Sequence, residues 1–116
     1  MREKKKRDAE DVTFELGSDN VFADLGLENA DELLVNADLA IAINKEIRAR
    51  GWTRIKAAGR TGLTRSDLSR LGKMQTDGFS QERMLDTLRR LGMDVEIRIN
   101  RRADGGPGTL KVFQPK

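Results

Sequence analysis

The sequence predicts a mainly α fold: a bundle of about four helices followed by a C-terminal β-strand, with a second short strand signal near the start. Three observations predict it. Apolar residues recur at helical spacing from about residue 30 to residue 91, and glycines and capping hydroxyls punctuate that stretch at regular intervals. The strictest alternation comes only afterwards, at Val95-Glu96-Ile97-Arg98-Ile99. With 116 residues, 37% of them hydrophobic, the chain has material for one domain and one core.

The elements follow in order. Residues 1–19 read as a flexible arm in which Val12, Phe14 and Leu16 alternate with Thr13 and Glu15, a short strand signal ended by Gly17-Ser18-Asp19-Asn20. Val21, Phe22, Leu25 and Leu27 form an apolar loop cluster suited to covering the core. A long helix is expected from Ala30 to Arg50, with Asn29 as N-cap, Asp31 and Glu32 in the first turn, and Gly51 as the stop. Leu33, Ala37, Ala40, Ile43 and Ile47 share one face of it, and Leu34 and Ile41 make a second stripe needing its own cover. Thr53 caps a short helix over 54–61, Gly62 breaks it, and Thr64 caps another over 65–71 that Gly72 closes. Ser80 caps a fourth helix running to Leu91, with Phe79 and Met84 spaced as a hydrophobic staple and Met84, Leu85, Leu88 and Leu91 as the buried face. Gly92 ends it, the alternating strand follows, and residues 101–116 read as a flexible tail.

Composition removes whole classes of chemistry. With no Cys and no His, thiolate or imidazole metal sites, disulfides and His-dependent triads are impossible in this chain. Basic residues at Met1–Arg7 run into Asp8-Ala9-Glu10-Asp11 with no apolar segment behind them, unlike a secretory signal. The longest apolar stretch, Leu39–Ile43, is far short of the ~20 residues a membrane span needs. The expectation is a cytoplasmic protein that needs no cofactor or metal and is not an enzyme. Asp31, Glu32, Asp38 and Glu46 are plentiful carboxylates on a helix, but they read as solvated surface.

Charge is distributed unevenly although the net value is only +3. Residues 11–50 carry −6, whereas residues 51–76 carry +5, with Arg54, Lys56, Arg60, Arg65, Arg70 and Lys73 set against Asp67 alone. Two such blocks suggest two surfaces with different partners.

Inside the basic block the spacing is particular. Two helices crossing steeply through a tight turn need a small residue at the contact, a residue tolerant of positive φ in the turn, and an apolar face on the second helix. Ala58, Gly62, Leu63, Leu68 and Leu71 supply these at the required intervals. Thr64, Arg65, Ser66, Ser69 and Arg70 then lie off the buried face of the second helix, clustered toward its start, where a helix in the major groove meets base edges. Arg65 and Ser66 are the candidates for reading bases, with Arg54, Arg70 and Lys73 for phosphates.

These residues resemble the Cro/repressor-type helix-turn-helix regulators, the XRE family, and more narrowly the HigA-type antitoxins. The resemblance spans Asn20 to Asn100. It rests on Val21-Phe22-Ala23-Asp24-Leu25-Gly26-Leu27, on Gly62-Leu63-Thr64-Arg65-Ser66-Asp67-Leu68-Ser69-Arg70-Leu71, and on Gly92-Met93-Asp94-Val95-Glu96-Ile97. It implies a lambda-repressor-like bundle over residues 20–100 that binds double-stranded DNA as a homodimer. In the toxin–antitoxin branch it also implies a RelE-like ribonuclease toxin as partner, for which the acidic block offers complementary charge. Gly59 and Thr61 depart from the pattern, standing where the first helix usually carries helix formers and a core Leu. Gly costs a helix ~1 kcal/mol against Ala. A free-standing regulator without a toxin, and an interaction module that has lost DNA binding, are the competing readings. RNA binding is disfavoured, because Trp52 and four Phe do not alternate with basic residues on a strand as stacking platforms do, and Trp52 at a helix junction reads as core. Val95, Ile97 and Ile99 need cover, and pairing this strand with its copy across a two-fold axis would provide it.

Overall fold

The computed structural model describes residues 13–15 and 29–115. The readings of residues 1–10, of Val12 and Leu16, and of the Val21–Leu27 cluster lie outside the described residues. Four helices and two short strands make up the described chain: β1 (Thr13–Glu15), α1 (Ala30–Arg50), α2 (Arg54–Thr61), α3 (Arg65–Gly72), α4 (Gln81–Arg90) and β2 (Phe113–Pro115).

The 21-residue α1 is the spine, packing on α3 and α4, while α2 packs on α3 and α4. Contact with two helices widens its buried stripe beyond a single helical face. Val35, Leu39, Ala40, Ala42 and Ile43 enter the main core, whereas Leu33 and Ala37 are half-buried. Of the second stripe, Leu34 is covered and Ile41 is exposed. Asp38 is buried at 2% exposure on the same helix, so it is not the solvated carboxylate its neighbours Asp31 and Glu32 are. Asn29 occupies the cap position, but its side chain makes no cap hydrogen bond. Gly51 ends α1 in the left-handed conformation (φ 67°), its amide donating to Arg48 and Ile47 carbonyls. Arg50 then ties this end to α4, donating to the Leu91 carbonyl at 2.6 Å.

The remaining helices start on the hydroxyls read from the sequence. Thr53, Thr64 and Ser80 each accept from the backbone amide three residues on. Each such cap satisfies an orphan amide and is worth ~1 kcal/mol. Phe79 and Met84 are buried at 5% and 1%, and Met84, Leu88 and Leu91 line the core with Leu85 packed at its edge. At the end of α3 the reading needs correction. Gly72 lies within the helix, and the residue that turns left-handed is Met74 (φ 61°), two positions later.

β1 falls within the short strand signal expected near the start, whereas the C-terminal strand is placed differently from expectation. Residues 95–99 form no strand, and no backbone hydrogen bond joins them to another described segment. Alternation creates a dry face, but a strand exists only with a ladder partner. Val95 packs on the core edge, whereas Ile97 and Ile99 are 76% and 92% exposed. The two-stranded antiparallel sheet instead joins β1 to β2, pairing Phe14 with Gln114. The segment read as a tail thus carries a strand, and Val112 beside it packs against the core. Among the described residues, no helix is long and apolar enough to cross a membrane.

Candidate nucleic-acid interface

The site is organised by the turn between α2 and α3. Its buried face comprises Leu63, Leu68 and Leu71, at 5%, 6% and 0% exposure, together with Ala57 at 0%. The expected contact residue, Ala58, is half-buried against the same core, so the fully enclosed alanine is one position earlier. Gly62 takes a φ of 80°, and its amide closes α2 by donating to the Ala58 carbonyl at 2.9 Å. A side chain would be strained at that φ wherever it pointed.

Thr61, flagged as a departure from the pattern, is integrated by its hydroxyl. It is 4% exposed, donates to the Ala57 carbonyl at 2.7 Å and accepts from the Leu63 amide at 3.2 Å. A leucine would fill the space but leave the turn amide without this partner. Gly59 faces open space and touches nothing that would exclude a larger residue.

This turn brings the first residues of α2 and α3 together. Thr53, Arg54, Ile55, Arg65 and Ser66 line one open concavity, so both helix N-termini border the same surface. Each terminus carries partial positive charge from unpaired amides, which favours an anionic ligand. Arg54, Thr64, Arg65, Ser66 and Lys73 are exposed; Ser69 is half-buried. The sole acid of α3, Asp67, is withdrawn from repelling a polyanion. Its Oδ2 accepts from the Thr64 amide at 3.2 Å, completing a capping box, and pairs with Arg83 of α4 at 2.7 Å. Partial desolvation pushes the Asp67 carboxyl up, but the Thr64 hydrogen bonds and the Arg83 charge together outweigh it and hold it below its usual value.

Arg70 does not stand with the others. Its guanidinium lies over the Phe79 ring, 4.9 Å from the centroid, and donates to the Asp77 carbonyl. Arg83 approaches the same ring at 5.0 Å. The half-buried Arg70 therefore braces the α3–α4 connection, because its helical position faces Phe79 once α4 has docked.

Trp52 packs against the core, as its place at a helix junction suggests, and it also carries a role that spacing did not reveal. It is half-buried, and Arg50, Lys56 and Arg60 lie 5.1, 5.7 and 5.5 Å from its ring centroid. The indole holds Lys56 and Arg60 of α2 against one flank of the basic surface. The sequence signal for this flank is the composition of α2, which carries three cations and no acid. Among the described residues, no group of three acidic side chains is arranged to hold a metal ion.

Comparison with known proteins agrees with this geometry. A family model described as a helix-turn-helix domain matches residues 21–100, well over half the chain. No curated protein and no solved structure matches. The matched span contains both capped helices, the Gly62 turn and the exposed start of the second helix, and the chain belongs to this helix-turn-helix domain family.

Proposed function

We propose that the protein is a sequence-specific transcriptional repressor that binds a palindromic operator as a homodimer, acting as the antitoxin of a toxin–antitoxin pair that represses its own operon. The observation that carries the DNA reading is the joint exposure of Arg54, Thr64, Arg65 and Ser66 where two helix N-termini meet, with Asp67, the acid of α3, paired to Arg83. Arg65 and Ser66 reach base edges in the major groove, and Arg54 and Lys73 hold phosphates. Support for the dimer comes from Ile97 and Ile99, exposed on a segment outside any helix or strand whose backbone has no described partner. Pairing across a two-fold axis would bury them and set two recognition helices about 34 Å apart, one turn of DNA.

The antitoxin reading rests on the −6 charge of residues 11–50 and on the HigA-type resemblance. The acidic half would repel an operator and attract a basic toxin of the RelE-like ribonuclease type. Co-expression with the adjacent reading frame and pull-down tests this. If no small basic protein co-purifies, the free-standing regulator replaces the antitoxin.

Gel shifts on the DNA flanking the gene test the operator reading. Arg65→Ala should cost ~1–3 kcal/mol and relax preference at one base per half-site. Lys73→Ala should weaken all sequences alike and reduce the salt slope by about one. Unchanged affinity and base preference in Arg65→Ala would refute the assignment.

A further inference from the structure

Ile55 is the feature of the basic surface that cation–phosphate contact leaves unexplained. It is 70% exposed at the start of α2 and lines the concavity with Arg54, Arg65 and Ser66. The other exposed positions of α2 are Arg54, Lys56, Gly59 and Arg60, so the isoleucine stands alone among cations. No other exposed large hydrophobic residue belongs to α2 or α3. A protein partner is recognised through contiguous apolar surface, and Ile55 has no exposed large apolar neighbour on α2 or α3. The edges of base pairs in the major groove present one apolar group, the C5-methyl of thymine.

We infer that Ile55 is a specificity-determining residue that packs on the methyl group of a thymine in the same half-site that Arg65 reads. This rests on the DNA reading proposed above. Branching at Cβ restricts the side chain at χ1, so little freedom is lost when the methyl contact forms. A cation beside a fixed apolar group suits a half-site that combines guanine with thymine, since guanine presents two acceptors to arginine.

The test uses the full-length protein and duplex DNA selected by it from a random-sequence library. Each thymine of the selected site is then replaced by deoxyuridine, which removes the methyl and nothing else. Wild type is expected to lose about fourfold in affinity at one such position per half-site, the value of one buried methyl group. Ile55→Ala should bind the thymine site about fourfold more weakly and make no distinction between thymine and deoxyuridine there. Its thermal midpoint and salt slope should match wild type, because the residue is exposed and touches no phosphate. If Ile55→Ala still distinguishes the two bases as wild type does, the inference falls while the DNA reading stands. If wild type selects no sequence at all, both fall.

Discussion

Replacing Thr61 by valine removes one hydroxyl at nearly constant volume, so the core around α2 is not emptied. It also removes the acceptor of the Leu63 amide, in a turn where Leu63 is only 5% exposed. The Ala57 carbonyl keeps its helical partner, so the damage concentrates on a single buried N–H. A donor left unsatisfied in that way costs ~1–3 kcal/mol, while the extra buried methyl returns only part of it. For a domain of this size each kcal/mol moves the thermal midpoint by about 4–8 °C. We therefore expect Thr61→Val to melt well below wild type, by about 8 °C or more if the net loss is ~2 kcal/mol. Thr61→Ser is the control, since it keeps the hydroxyl and loses a methyl. Amide hydrogen exchange separates the two: protection at Leu63 should survive in the serine variant and collapse in the valine variant. A valine variant as stable as wild type, with Leu63 still protected, would refute the role assigned to this hydroxyl.

Three other outcomes are expected. Arg70→Ala should lower stability by ~1–2 kcal/mol, the value of a cation–π contact and a charged hydrogen bond, and leave the salt slope of DNA binding unchanged; a slope reduced by about one would return Arg70 to the phosphates. Asp67 has a folded pKa below its unfolded value, so its stabilisation is complete above about pH 4 and is lost as pH falls through the folded pKa. Asp67→Asn should accordingly be less stable than wild type at pH 7, and the gap should close on acidification in denaturant titrations. Ile97→Asp should give a monomer by light scattering, with helical circular dichroism kept and operator binding lost; a variant that remains dimeric would show that this segment has another role.

Much of the architecture was determined by short-range chemistry and could be read without coordinates. Thr53, Thr64 and Ser80 are caps because a hydroxyl three residues ahead of an amide satisfies it whatever the rest of the chain does. Gly51 and Gly62 end helices because a left-handed φ strains any residue with a Cβ. The turn at Gly62, with Leu63, Leu68 and Leu71 behind it, was legible for the same reason: its spacing is a property of the helix. The exposed start of α3 follows directly, since residues opposite the leucines must face outward.

Other features were decided by which elements dock on which. Residues 95–99 alternate as a strand should, but strand formation needs a partner backbone, and the described pairing goes to β1 and β2 instead. Periodicity places Arg70 off the leucine face; only the approach of α4 puts Phe79 beneath it and the Asp77 carbonyl within reach. Asp38 looks like its solvated neighbours in sequence, yet it is enclosed because α1 is covered on more than one side. Ile55 is equally ambiguous, since an apolar residue at a helix start is as often buried as exposed. Whether a side chain points at solvent or at a neighbour depends on residues far away in the chain, and no local pattern carries that information.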